Sequence, residues 1–226
     1  MTPRPKFDLS LLPERPNLDF ENELWRGGVR HIAGVDEAGR GALAGPVSAG
    51  AVILDSDCTN LSIRLEGVRD SKEMRPEERD TWAEAIKSVA LSWAVGYASA
   101  EEIDQLGIVP ATCLAASRAL AGLSVSPEHL LVDFLTLPGI NMGQTPLVKG
   151  DARSLSIASA SVLAKTARDA LLVAMDAEFP GYSFCSNKGY ATEAHRQAIH
   201  DLGPCEQHRR TFAPVSAYYS LFPPKR

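Results

Sequence analysis

Two adjacent acidic residues, Asp36 and Glu37, end an apolar stretch that is followed at once by glycine-rich sequence. The apolar residues 32–35 predict a buried strand, and a strand end is a rigid place to hold charge. Neighbouring side chains on a strand point to opposite faces, so both carboxylates serve one site only where the backbone bends. Residues 38–41, with two glycines, permit such a bend. The pair therefore indicates either a metal site or a solvated strand end that leads into a turn.

Residues 34–41, Gly-Val-Asp-Glu-Ala-Gly-Arg-Gly, carry more information than the two acids alone. Glycine lets backbone N–H groups approach a ligand closely, and Arg40 supplies a planar cation suited to phosphate. The stretch resembles the opening signature of the type 2 ribonucleases H, the ribonuclease HII family. The resemblance favours the metal site over the solvated turn.

Further motifs follow in the order found in that family and extend the resemblance over residues 18–220. By themselves, Asp70-Ser71-Lys72 predicts a helix-capping turn and Lys149-Gly150-Asp151 an exposed turn, so both depend on the resemblance. The matching segments are Asp70-Ser71-Lys72, Val132-Asp133, Lys149-Gly150-Asp151, residues 156–165 with Arg168-Asp169, residues 187–192 and residues 208–212. Two positions depart from the family: Phe134 replaces a glycine, which disfavours a positive φ beside Asp133, and Thr211 replaces a serine.

The resemblance implies a role for each residue of the predicted site. The implied catalytic and metal-binding residues are Asp36, Glu37, Asp133 and Asp151. The implied substrate-binding residues are Gly39, Arg40, Gly41, Ser71, Lys72, Lys188 and Tyr190. Four carboxylates in one cleft repel one another unless cations neutralise them, and hard oxygen ligands favour Mg²⁺ or Mn²⁺ over zinc.

The chain around these motifs predicts an α/β domain. Alternating apolar residues predict strands over residues 32–36, 47–54 and 91–99, and shorter strands end at Asp133 and Asp151. Helices are predicted over residues 19–30, from Pro76, and over residues 110–123, 154–178 and around 193–202. The resemblance implies a ribonuclease H-like fold with a central mixed sheet and a C-terminal helical extension. Residues 1–18 are expected to form an extended lead-in, and residues 19–226 the catalytic domain, with residues 181–226 as a helical substrate-binding region.

Composition narrows the class of protein. The 226 residues carry a formal net charge of -5, which argues against a protein that coats nucleic acid without sequence preference. Residues 186–226 nevertheless carry a net charge of +3, so the positive face is expected there. The four cysteines are far apart and indicate reduced thiols rather than a zinc site or disulfides. No apolar run reaches the roughly 18 residues of a membrane span, and a cytoplasmic location is expected.

The implied function is endonucleolytic cleavage of RNA in RNA–DNA hybrids, with incision 5′ of single ribonucleotides in duplex DNA. Hydrolysis by a two-metal-ion mechanism would leave a 5′-phosphate and a 3′-hydroxyl. A monomer is expected, with RNA–DNA hybrid and ribonucleotide-containing duplex DNA as partners. The alternatives are a ribonuclease HIII-like hybrid nuclease and a non-catalytic nucleic-acid-binding module. A haloacid dehalogenase-type phosphatase is disfavoured, because the Asp-x-Asp that it needs is absent at Asp36.

Overall fold

A five-stranded mixed sheet lies at the centre of the molecule. The computed structural model describes residues 7–133 and 136–221. The strands are β1 (Ile32–Ala38), β2 (Val47–Leu54), β3 (Ala90–Ala98), β4 (His129–Asp133) and β5 (Gly143–Leu147). Their order across the sheet is β3-β2-β1-β4-β5, with β1 antiparallel to β2 and parallel to β4. The mixed sheet was predicted correctly, whereas the predicted effect of Phe134 on the backbone falls outside the described residues.

Helices cover both faces of this sheet. They are α1 (Asp19–Arg26), α2 (Leu61–Arg64), α3 (Pro76–Val89), α4 (Ala100–Leu106), α5 (Ile108–Ala121), α6 (Leu155–Glu178), α7 (Phe184–Asn187), α8 (Glu193–Leu202) and α9 (Val215–Leu221). The last three form the predicted C-terminal helical extension. No helix in the described part of the chain is long and apolar enough to cross a membrane.

Local sequence explains where two of the helices that flank the site begin. Pro76 is the first residue of α3, where its missing N–H costs no hydrogen bond. Ser154 caps α6 by accepting the N–H of Ile157 at 3.2 Å. The buried carboxylate of Glu21 in turn accepts the hydroxyls of Ser154 and Ser156, each at 2.6 Å. The start of α6 is therefore tied to α1.

Helix α6 approaches the sheet at two glycines. A Cβ on Gly34 of β1 would lie 2.2 Å from the backbone of Ser156, and one on Gly50 of β2 would lie 2.3 Å from the carbonyl oxygen of Ala160. Only glycine allows backbones to approach so closely. Helix α5 packs against β2 and β3 on the opposite face. The core therefore has three layers, with the sheet in the middle.

Several predicted boundaries need correction. The strand predicted over residues 147–151 is wrong, because β5 ends at Leu147 and Asp151 lies in a short 3₁₀ helix, Gly150–Ala152. Lys149 turns the chain there with φ 53° and ψ 48°. The preceding strand β5 was missed, and so was helix α4, although Ser99 and Glu102 form a capping box at its start.

The close packing of α6 on β1 gives a stability prediction. Gly34→Ala should lower the free energy of unfolding by roughly 1–3 kcal/mol, because the new methyl group meets backbone that cannot move aside cheaply. Thermal unfolding of the variant measures this. Gly41→Ala is the matched control, since a Cβ there would have no neighbour within 4 Å. Equal midpoints for the two variants would contradict the tight contact.

Candidate active site

The acidic edge of the sheet lies where β1 and β4 run side by side. These strands are parallel with Val35 opposite Val132, so Asp36 and Asp133, one residue further on, lie at the same edge. Asp36 is 4% exposed, and its Oδ1 accepts the backbone N–H of Glu37 at 2.7 Å. Side chains of Asp36, Glu37 and Asp133 line one small cavity together. The structure therefore brings together three of the four predicted carboxylates.

The fourth carboxylate, Asp151, reaches this edge from the 3₁₀ helix after β5. The N–H of Gly150 donates to Oδ1 of Asp133 at 2.6 Å, so the two segments are joined directly. Asp151 is buried, and its Oδ2 lies 3.6 Å from Nζ of Lys72. Its position depends on the turn at Lys149 rather than on a strand end.

Burial and mutual repulsion disfavour the charged forms of these acids. Burial, and then the neighbouring charges of Glu37, Asp133 and Asp151, holds the pKa of Asp36 well above its usual value. Burial also raises the pKa of Asp133 to about 6, with Asp151 and Glu37 adding to the shift. Oδ2 of Asp36 is buried and has no hydrogen-bond partner among the described residues. A cation at this edge would relieve both the repulsion and the unpaired oxygen.

The chemistry of the donor set fits a hard divalent cation. Carboxylate oxygens are the ligands that Mg²⁺ and Mn²⁺ prefer, and the buried Oδ2 of Asp36 needs a partner. Within residues 7–133 and 136–221, however, no three acidic, histidine or cysteine side chains already converge on one point. Two of the acids pair with cations of the chain instead: Glu37 with Arg40 at 3.2 Å and Asp151 with Lys72 at 3.6 Å. A single ligand set of four acids therefore stays a prediction.

The glycine-rich loop after β1 is held by a buried guanidinium group. Arg209 donates to the carbonyl oxygens of Gly39, Arg40 and Gly45 at 2.7, 2.9 and 3.1 Å. The C=O and N–H of a trans peptide point in opposite directions, so the amides of Arg40 and Gly41 face away from Arg209. These two amides have no protein partner in the described part of the chain. They are free to bind a ligand.

A second buried guanidinium joins the same loop to the segment that carries Tyr190. Arg168 of α6 donates to the carbonyl oxygens of Ala44, Pro46 and Lys188 at 3.0, 2.8 and 2.9 Å. Its guanidinium carbon lies 5.4 Å from the centre of the Tyr190 ring. The ring is half-buried, and its position relative to the loop is fixed through Arg168.

The predicted residues Ser71 and Lys72 lie beside the acids in different ways. Ser71 is 2% exposed, and its hydroxyl lies 2.9 Å from that of Ser161 on α6, so it faces the protein. Lys72 is exposed at the edge of the site. Burial works against its charge, but Asp70, Asp36 and Asp151 together raise its pKa above the usual value. Lys72 therefore stays a cation beside the carboxylates.

One cavity of about 580 Å³ collects most of the predicted site. Of the predicted residues it is lined by Asp36, Glu37, Gly39, Arg40, Gly41, Ser71, Lys72, Asp133, Lys188 and Tyr190. Asp151 instead lines a neighbouring cavity of about 530 Å³ and reaches the first one through Lys72.

The main cavity is also lined by Arg79, Lys165 and Asp169, which were not predicted as site residues. Lys165 and Asp169 lie in the helix segment that resembles the family. That resemblance was the one signal in the sequence that could have drawn attention to them. Arg79 lies in α3 and carried no such signal.

Comparison with known proteins identifies the family of the chain. The family model described as Ribonuclease HII matches residues 33–215. A ribonuclease HII from Anaeromyxobacter sp. is 51% identical over 91% of this chain and 64% of its own length. One from Synechococcus sp. is 53% identical over 89% of this chain and 90% of its own length.

A solved structure agrees on the fold. The crystal structure of the ribonuclease H2 from Pyrococcus horikoshii has a TM-score of 0.68 and 22% identity, over 85% of this chain and 98% of that one. The predicted ribonuclease H-like fold is confirmed, and so is the prediction of a metal-dependent hydrolase. The chain belongs to the ribonuclease HII family.

Proposed function

We propose that this chain cleaves the RNA strand of RNA–DNA hybrids endonucleolytically and incises duplex DNA 5′ of a single ribonucleotide. The observation that carries the proposal is one cavity in which carboxylates, two free backbone amides and an aromatic ring meet. The 2′-hydroxyl alone distinguishes RNA from DNA at a given sugar. The amides of Arg40 and Gly41 can donate to that hydroxyl, while Tyr190 packs on the following deoxyribose.

The carboxylates Asp36, Glu37, Asp133 and Asp151 would hold Mg²⁺ or Mn²⁺. Two such ions would supply Lewis-acid activation of the attacking water and charge stabilisation at the leaving 3′ oxygen. The chain's own groups orient the substrate: Lys72 attracts the phosphate beside the acids, and Arg209 fixes the amides that bind the sugar. Hydrolysis in this orientation would leave a 5′-phosphate and a 3′-hydroxyl.

Residues 181–226 are proposed as the substrate-binding region, because they supply Lys188, Tyr190 and Arg209. Four free thiols support a reducing compartment, so a cytoplasmic location is part of the proposal. We propose that the chain works as a monomer on these nucleic-acid partners.

The function is tested by incubating the protein with Mg²⁺ or Mn²⁺ and a duplex that contains one ribonucleotide. A cut 5′ of the ribonucleotide is expected, and an all-DNA duplex of the same sequence is the control. Cleavage of a continuous hybrid without that cut would favour a ribonuclease HIII-like nuclease. Binding without cleavage of either substrate would favour a non-catalytic module.

Asp133→Asn should remove most of the activity. It replaces a metal ligand at constant size, and its amide oxygen can still accept the N–H of Gly150. The loss of several kcal/mol of transition-state stabilisation corresponds to roughly a thousandfold in turnover. Calorimetry should show weaker Mn²⁺ binding and, without metal at neutral pH, an unfolding midpoint no lower than that of the wild-type protein, because the amide removes a charge that burial and the neighbouring acids disfavour. Asp151→Asn should lose less, and equal losses would show that the two carboxylates act as one unit.

Lys72→Ala should weaken substrate binding and flatten the dependence of affinity on salt. A lysine that contacts phosphate releases counterions on binding, so its removal lowers the slope of log K against log salt by about 1. Fluorescence anisotropy at several salt concentrations measures the slope. Lys87→Ala is the control, since Lys87 pairs with Glu84 at 2.7 Å outside the cavity. The same slope in both variants would show that Lys72 does not contact phosphate and is a solvated surface residue.

Tyr190→Ala should reduce incision at a single ribonucleotide by roughly 10–100-fold, the factor that corresponds to about 1–3 kcal/mol of aromatic packing. Tyr190→Phe keeps the ring and should keep most of the activity. A continuous hybrid presents a ribose instead of a deoxyribose to the ring. The ratio of the two activities should therefore change in Tyr190→Ala. Equal losses on both substrates would show that Tyr190 does not recognise the junction between the ribonucleotide and the following deoxyribonucleotide.

A further inference from the structure

Asp169 of α6 joins two cations that belong to different parts of the cavity. Its Oδ2 lies 2.9 Å from Nη2 of Arg79, and its Oδ1 lies 2.8 Å from Nζ of Lys165. All three side chains are between 8% and 13% exposed. Partial burial strengthens such pairs relative to surface ion pairs, and each partner keeps a fixed position.

The Arg79 arm supports the turn that carries Lys72. Nη1 of Arg79 donates to the carbonyl oxygens of Ser71 and Met74 at 3.2 and 2.7 Å. One guanidinium group therefore holds the backbone on both sides of Lys72 and pairs with Asp169 through its other nitrogen. The turn cannot shift relative to α6 without breaking this arrangement.

The Lys165 arm supports Tyr190. Nζ of Lys165 lies 5.1 Å from the centre of the Tyr190 ring, within the range of a cation–π interaction. Lys165 and Asp169 are four residues apart on α6, so both lie on the same face of the helix. The carboxylate thereby holds the ammonium group over the ring.

We propose that Asp169 is a positioning residue that sets Lys72 and Tyr190 at a fixed separation on the substrate. This inference rests on the proposed function, because it assumes that Lys72 binds a phosphate and Tyr190 a sugar. Asp169 itself touches neither group. It acts through Arg79 on Lys72 and through Lys165 on Tyr190. Both ion pairs start from Asp169 on α6, so this helix fixes the two side chains relative to each other.

A purely structural ion pair would behave differently from a positioning residue. Loss of a structural pair lowers stability and adds to the effects of other mutations, because independent sites contribute additively. Loss of a positioning residue removes what Lys72 and Tyr190 contribute, so its effect overlaps with theirs. Double-mutant cycles separate the two cases.

The experiment measures kcat/KM of Asp169→Asn on a single-ribonucleotide duplex and on a continuous hybrid. A loss of roughly 3–30-fold is expected on the first substrate, within the range of coupling between neighbouring residues. The ratio of the two activities should shift in the direction that Tyr190→Ala shifts it. Asp80→Asn is the matched control, because Asp80 is an exposed carboxylate next to Arg79 and should leave activity unchanged.

Two double-mutant cycles test whether Asp169 acts through Tyr190 and Lys72. Asp169→Asn should cause a smaller fold loss in the Tyr190→Ala background, and in the Lys72→Ala background, than it causes in the wild-type protein, because one of its two arms is already without effect there. Multiplicative losses in both cycles would overturn the inference and leave the proposed function intact. A wild-type protein that cleaves neither substrate would overturn the proposed function and this inference with it.

If Asp169→Asn does not fold, Lys165→Met replaces it. This variant breaks only the arm to Tyr190 and leaves the pair of Asp169 with Arg79. Its loss should overlap with that of Tyr190→Ala and multiply with that of Lys72→Ala. Multiplication in both cycles would again overturn the inference.

Discussion

Two buried guanidinium groups determine the shape of the site. Arg168 and Arg209 are both 0% exposed, and each donates three hydrogen bonds to backbone carbonyl oxygens. No carboxylate in the described residues forms an ion pair with either group. Burying an unpaired charge is costly, and these carbonyl dipoles offset the cost. Burial lowers the pKa of Arg209 to about 9, so the group remains charged at neutral pH. The glycine-rich loop keeps one conformation because moving it would leave both buried guanidinium groups without their hydrogen-bond acceptors.

Helix α6 is the common support of the remaining parts. Ser161, Lys165, Arg168 and Asp169 recur at spacings of four, three and one, so they share one side of the helix. Ser161 hydrogen-bonds Ser71, while the other three contact the glycine-rich loop, the Tyr190 ring and Arg79, which holds the turn that carries Lys72. The glycine contacts that seat α6 on the sheet therefore also set distances within the cavity.

Sequence patterns predicted the strands and helices whose residues have the typical periodicity or end signals of those elements. Alternation identified β2, and Pro76 marked the start of α3. Strand β5 was missed because Gly143 and Pro146 are poor strand formers and occur there on an edge strand. The turn at Lys149, a non-glycine residue with positive φ, depends on tertiary contacts that a local pattern does not contain.

Sequence motifs predicted which residue types belong to the site. They did not predict the positions that depend on contacts between distant parts of the chain. The sequence predicts arginines at the surface, so the complete burial of Arg168 and Arg209 could not be inferred. The resemblance to the family predicted the four acids, but it did not predict how Arg79 and Asp169 hold the turn that carries Lys72. Those contacts join residues 90 positions apart.

The hydrogen bond between Arg209 and Gly39 spans 170 positions of the chain. During synthesis, the first acids and the loop emerge from the ribosome long before the arginine that holds the loop. All four carboxylates are synthesised before Arg209, so a nascent chain carries the acids before the loop beside them can be held in place. The order of translation thus delays the fixing of this loop until after all four acids have been synthesised.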